Sequence, residues 1–366
     1  MIIKSLIAKK LNIPFKISFN HALSERTETD SVLVMVQSSN GKIGYGEGCP
    51  RVYVTNENIE SVLKFISERK KQILEISSIQ ELIKYILKNN DAIDQNPSAW
   101  CAVELALLDL FGKEEGKTVE DLLLLPKLQN KYYYTAVIGD GDISAFKQYL
   151  EKYLFLGFQN FKLKLSGDFV RDLSKIDVIR SLKNKDLKIR VDANKLWDES
   201  DIAYSYLSNL NYEFFAIEEP LNSFSYDSLL QLSEKLGIKI ILDECFTRIE
   251  DINYFSENRE NFILNIRISK MGGVLRSLDI AKKAFEEDIN CIIGSHVGET
   301  TILSRAALLI ASIYNHNVIA QEGAFGDYLL VHDICNPSMK FGKGGMIDVT
   351  QYLDNKIKGF GLNITL

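Results

Sequence analysis

The 366-residue chain is poor in the features that mark specialised protein classes. Its five cysteines, Cys49, Cys101, Cys245, Cys291 and Cys335, are dispersed, odd in number and never spaced as CxxC. That pattern argues against a disulfide framework or a zinc-thiolate site and leaves small core residues. No apolar run reaches the roughly 18 residues a membrane-spanning helix needs, and mean hydropathy is -0.05. The opening MIIKSLIAKKLNIPF breaks its apolar residues with charges and has no small-residue cleavage site, unlike a signal peptide. Positive charge is also short. Lys and Arg number 43 against 49 Asp and Glu, for a net charge of -6 and a pI near 5.5, so no field exists to hold a polyanion. The expectation is a soluble, cytoplasmic protein with neither nucleic acid nor membrane as partner. No GxGxxG or GxxxxGK[ST] follows any strand-like run, which sets aside a doubly wound nucleotide-binding sheet.

What is present is ordinary globular material, 46% hydrophobic and 25% charged, in a length that suits two domains or a barrel with an accessory domain. Alternating runs at Met1–Lys10, Ser31–Gln37 and Lys42–Gly46, the last two joined by an Asn40-Gly41 turn, predict an antiparallel meander. From about Asn56 the period becomes helical, with a long segment from Ser98 to Lys113. Residues 1–125 therefore read as an α+β domain. After Pro126, short apolar runs alternate with amphipathic stretches. The predicted strands are Tyr132–Ile138, Phe161–Leu165, Ile189–Asp192, Phe214–Ile217, Ile238–Leu242, Phe262–Ile268, Cys291–Gly294 and Val318–Gln321. Eight strands alternating with helices over 126–329 predict a closed parallel barrel. Residues 330–366 carry turn signals and are expected to return over the first domain.

Chemistry in such a barrel gathers at the C-terminal strand ends. Lys164, Asp192, Glu218 and Asp243 fall at steps of 28, 26 and 25 residues, each one strand-helix repeat, which brings them to one rim. Three carboxylates converging there would repel one another unless a hard cation neutralised them, so Asp192, Glu218 and Asp243 are candidate Mg²⁺ ligands. Lys162 and Lys164, two residues apart, share one strand face inside the apolar frame Phe161, Leu163, Leu165. A lysine crowded by a second ammonium and a metal is poised toward use as a base.

These elements resemble the enolase superfamily, in its mandelate racemase and muconate lactonizing enzyme branch that includes dipeptide epimerases. The resemblance rests on Gly44-Tyr-Gly46-Glu47, the helix Ser98–Lys113, Lys162-Leu-Lys164, Arg190-Val-Asp192-Ala-Asn194, Ile217-Glu218-Glu219-Pro220, Leu242-Asp243-Glu244 and Ile268-Ser-Lys270-Met-Gly272-Gly273. It covers nearly the whole chain. It implies an α/β fold, a modified TIM barrel (β/α)₇β with an N-terminal α+β capping domain, and Mg²⁺ held by three acids. It also implies removal of the proton α to a carboxylate, with Lys164 as base, Lys162 as electrostatic helper and Asn194 as a polar group beside metal and substrate.

Two departures from that pattern shape the expected activity. Where dipeptide epimerases and muconate enzymes carry a lysine on the sixth strand, this chain has Arg267, a poor base and a good carboxylate clamp. The Asp-x-Asp that holds a substrate ammonium in dipeptide epimerases is missing after the eighth strand, where Glu322 or Asp327 is the available replacement. His296, in a Gly294-Ser-His296 run similar to the one by which mandelate racemase supplies its second base, is the other candidate for the second face. Lys270, three residues past Arg267, is expected to point away from it and to pair in the outer layer, with Glu244 as a partner. Arg26, in the Phe19–Thr27 loop, is the candidate for a distal substrate carboxylate. The first expectation is thus a racemase or epimerase of an amino acid derivative or dipeptide, using Lys164 with His296 or Arg267, and assembling as a homo-oligomer. The alternatives are a lyase or cycloisomerase with Lys164 as sole base, and a non-catalytic binding homologue.

Overall fold

The computed structural model describes residues 1–366 except 22–23, 183–185, 223–224, 352 and 354–357; at 17–21, 24–25 and 351 only the backbone is described. The first strands are β1 (Ile3–Leu11), β2 (Pro14–His21), β3 (Ser24–Glu28), β4 (Ser31–Ser38) and β5 (Ile43–Gly48). β1, β4 and β5 form an antiparallel sheet, and β2 pairs with β3 as a hairpin. Among the described residues no helix is long and apolar enough to cross a membrane.

The sheet packs on the helix Pro97–Glu115, which starts with proline in its first turn and ends at a left-handed Gly116. That helix is buried on all sides through Gly112, as expected of one wedged between two layers. Its fit to β5 follows from two periods. A Cβ on Gly44, Gly46 or Gly48 would overlap the carbonyl oxygen of Ala106, Ala102 or Ser98 respectively. Two strand residues span about 6.7 Å and four helical residues about 6 Å, so every second strand residue meets every fourth helical one. The three glycines let backbone lie on backbone.

The catalytic-sized unit is an eight-stranded parallel sheet of β7 (Ala136–Ile138), β8 (Asn160–Lys164), β9 (Lys188–Asp192), β10 (Ala216–Glu218), β11 (Lys239–Leu242), β12 (Phe262–Ile266), β13 (Asn290–Ile293) and β14 (Val318–Gln321), hydrogen-bonded in that order. The Thr135 N–H donates to the Gln321 carbonyl at 2.8 Å, joining the last strand to the start of the first. The fold is the (β/α)₇β barrel with an α+β cap. The predicted first strand, Tyr132–Ile138, is in fact two. β6 (Lys131–Tyr133) pairs outside the barrel with β15 (Met346–Asp348), and only Ala136–Ile138 enters the parallel sheet. Alternation alone could not reveal the break, because both halves are apolar and β-prone. Beyond β14, the Val119 N–H donates to the Gly359 carbonyl and the Phe360 N–H to Asp109, tying the last residues to the cap.

Glu104, in the middle of the buried helix, joins the cap to the barrel. Its carboxylate accepts from the Leu275 N–H at 3.0 Å, in the first turn of the helix Val274–Glu286. A Cβ on Gly273 would collide with it. Burial pushes the Glu104 carboxyl up to about 7 despite the favourable helix terminus. A raised acid binds more protons folded than unfolded, so its contribution is most favourable below about pH 4.5 and is lost as pH rises through about 7. Glu104→Gln is therefore expected to compare least well with the wild type near pH 5 and to gain on it toward pH 8, by on the order of 2 kcal/mol. Urea midpoints of both proteins at the two pH values check this.

Candidate active site

The barrel register places the predicted residues before any side chain is considered. Lys164 pairs across from Asp192, and Asp192 from Glu218, so three successive strands end on one rung. Asp243 lies two residues beyond Ile241, the register partner of Glu218. All three acids are buried. Each is met by cations. Lys164 Nζ lies 2.5 Å from Asp192 and 2.6 Å from the Asn194 side-chain oxygen. Lys162 Nζ lies 3.0 Å from Glu218, 3.2 Å from Asp192 and 2.8 Å from Glu322. Burial opposes charge on Lys162, but Glu218, Glu322 and Asp192 together outweigh it and raise its pKa. Asp192 is held well below the carboxylate range; burial works against it, and Lys164 and Lys162 prevail.

Arg267, just past β12, pairs with Asp243 and sits 3.7 Å from Glu218. Lys270 stays out of the cavity that Arg267 lines and borders a separate pocket with Arg248 and Arg276. Its Nζ lies 3.1 Å from the same Asp243 carboxylate and 2.8 Å from the Asn265 carbonyl, and its ion-pair partner is Asp243 rather than Glu244. The reason for the changed partner is local: the chain turns helical at Ile268, and Lys270 takes the Asp243 oxygen that Arg267 does not. Burial, then the Arg267 charge, pulls Lys270 down to about 7.

Lys162, Lys164, Asn194, Arg267, His296 and Glu322 line one cavity of about 90 Å³ at the C-terminal mouth of the barrel, with Glu244 on its wall and Tyr53 reaching in from the cap. Glu244 is buried and one of its carboxylate oxygens has no hydrogen-bond partner. Burial, then the charges of Glu219 and Asp192, pushes Glu244 up to about 8. Glu322 faces the cavity with its oxygens taken by Lys162 and Arg190, whose charges overcome burial and draw it down to about 2. Arg26 pairs with Asp30 within the cap and is not among the cavity-lining residues. Ala22 and Leu23, of the same Phe19–Thr27 segment, lie outside the described residues.

His296, at the end of β13, is buried with Nδ1 2.8 Å from the Cys49 carbonyl oxygen. A carbonyl only accepts, so Nδ1 carries the proton and Nε2 keeps its lone pair. Nε2 has no protein partner. Burial, then Arg267 and Arg51, lowers the imidazole pKa well below its usual value. Beneath it, Glu299 accepts the His296 backbone N–H, and burial raises that carboxyl to about 8. Among the described residues, Cys49, His296 and Glu299 have potential donor atoms within 4.8 Å of one another. They are a poor metal site, since Nδ1 is committed to a carbonyl and burial pushes the Cys49 thiol up to about 12.

Further participants were not singled out as site residues in the sequence. Asn265 donates to Glu218. The buried Arg51 donates to the carbonyls of Pro50 and Val297, and Glu47 receives Thr300 through backbone and hydroxyl. These cap-to-barrel contacts brace the Ser295–Thr300 segment that carries His296.

A barrel with buried acids, two lysines and a histidine at one capped mouth defines an enzyme-type site. Residues 145–365 match the family described as enolase C-terminal domain-like, and residues 3–123 match the mandelate racemase / muconate lactonizing enzyme N-terminal domain. The chain belongs to the mandelate racemase / muconate lactonizing enzyme family of the enolase superfamily. It is 26% identical over 329 residues to the hydrophobic dipeptide epimerase of Enterococcus faecalis, covering 89% of this chain and 92% of that protein. It is 25% identical over 333 residues to an N-succinyl-L-Arg/Lys racemase of Bacillus cereus, covering 89% and 88%. Among solved structures, the Bacillus subtilis L-Ala-D/L-Glu epimerase superposes with a TM-score of 0.86 at 22% identity, covering 100% of both chains. The E. faecalis dipeptide epimerase with Mg and L-Leu-L-Tyr gives 0.83 at 24%, covering 99% and 100%. The expected isomerase class agrees with these relatives.

Proposed function

We propose that the chain is a Mg²⁺-dependent racemase or epimerase that inverts the carbon α to a carboxylate in an amino acid derivative or dipeptide. The observation that carries this reading is the pair of proton-handling nitrogens, Lys164 Nζ and His296 Nε2, presented to one cavity from β8 and β13. The curated relatives are epimerases and racemases. The donor set fits the metal: Asp192, Glu218 and Asp243 are hard oxygen ligands on three neighbouring strand ends, already drawn to cations. Bound there, Mg²⁺ would stabilise the negative charge that develops on a substrate carboxylate as the α-proton leaves.

In this reading Lys164, oriented by Asn194, moves the proton on one face. Lys162 stays charged and supplies a fixed positive field behind it. Arg267 keeps its proton and clamps a carboxylate, which leaves the opposite face to His296. The free, buried state of all five cysteines agrees with a reducing, cytoplasmic setting. The test is proton NMR in D₂O with Mg²⁺ across dipeptides, N-acyl amino acids and hydroxy acids. Loss of the α-hydrogen with growth of the second stereoisomer, abolished by a chelator, is expected. New vinylic signals would replace this reading with a lyase or cycloisomerase.

A further inference from the structure

A second chamber of about 270 Å³ adjoins the catalytic cavity. Val137, Phe325 and Leu329 line both. Beyond these three, the chamber is walled by Phe146, Tyr149 and Tyr153 of the helix Ile143–Phe155, and by Tyr328 and Phe341. Tyr149 and Tyr328 are more than a third exposed, a state that leaves large apolar surface open to water beside a reactive site. An apolar cavity of about 150 Å³ already accepts benzene, so this one has room for a substituted ring.

The carboxylates nearby are spoken for, and Lys152, which also lines the chamber, lies 6.0 Å over the Tyr328 ring. Asp140 is bound by Arg171 at 3.1 Å and Lys175 at 2.8 Å, and Asp327 by Lys340 at 2.7 Å. Glu322, on the catalytic side, is held by Lys162 and Arg190. Asp140, Asp327 and Glu322 are thus each already paired with cations and do not stand as free counter-charges for an ammonium within the chamber.

We propose that this chamber binds an uncharged aryl or alkyl group of the substrate, which leaves the catalytic cavity past Phe325 and lies among the tyrosines. The inference rests on the proposed α-proton chemistry for its kinetic readout and not for its binding readout. Each methylene that enters apolar surroundings favours binding by about fourfold.

The test uses the full-length protein with Mg²⁺ and two matched pairs, N-(4-phenylbutanoyl)-alanine against N-acetylalanine and alanyl-phenylalanine against alanyl-alanine. Calorimetry gives Kd and D₂O exchange gives KM. At least one aryl compound is expected to bind tenfold or more tighter than its small counterpart. Ala145→Trp, which fills the chamber, is expected to erase that preference. Tyr149→Lys, which leaves the volume and adds a charge, is a second variant with the same expectation. Equal binding within both pairs, or a preference that survives both variants, overturns the proposal. Aryl preference in Kd with no exchange of any compound would keep the chamber and refute the proposed reaction instead.

Discussion

Replacing Lys164 with alanine is expected to lower α-proton exchange by about 10³-fold or more, the upper range for a positioned acid-base group. The size of the loss follows from what surrounds it. Lys162, only two residues away, cannot take over, because Glu218, Asp192 and Glu322 surround its ammonium and favour the charged form. Asn194, which holds the Lys164 amine at 2.6 Å, is an amide and does not act as a base at neutral pH. Lys164→Arg separates charge from basicity, since it keeps a cation beside Asp192 but does not release its proton. Both variants are expected to fail alike, with thermal melting close to wild type. Exchange within tenfold of wild type in Lys164→Ala would remove the lysine from the chemistry.

The rim was legible in the sequence because a parallel barrel repeats its geometry. Lys164, Asp192, Glu218 and Asp243 recur at one strand-helix step, and β8 to β11 deliver them to neighbouring strand ends. Contacts that cross between cap and barrel left no such signal. The Cys49 carbonyl that fixes the His296 tautomer lies 247 residues away in the chain, and a backbone oxygen has no residue type to read. Glu47 on Thr300 is equally remote. Lys270 was placed correctly off the Arg267 face, and only its partner was missed, because the helical turn at Ile268 brings it to Asp243 rather than Glu244. Glu322 was recognised as an acid near the site, yet its partners Lys162 and Arg190 come from two other strands and only the closed barrel brings them together.

His296→Asn is expected to separate proton exchange from inversion. Asparagine keeps an N–H for the Cys49 carbonyl and removes the titrating nitrogen. With one face disarmed, the stereoisomer whose α-hydrogen faces Lys164 should still exchange with solvent and retain its configuration. The other should lose exchange by about 10²- to 10⁴-fold, and racemisation with it. The pH dependence of the wild type carries the same signature. Burial and the charges of Arg267 and Arg51 hold the free imidazole neutral across the neutral range. In the direction where His296 accepts the proton, its protonation state is therefore right from neutral pH upward. In the reverse direction His296 must hold the proton and Lys164 must lack it; the two forms carry the same number of protons, so both directions share one pH profile. Because the imidazole stays neutral, kcat/KM measured from either stereoisomer is expected to show no loss as pH falls from 7 through 6.5, where an ordinary imidazole would protonate. Racemisation surviving in His296→Asn near the wild-type rate would move the second proton to another group. Arg267, which also lines the cavity, would then be a candidate, and it would have to act while paired to Asp243.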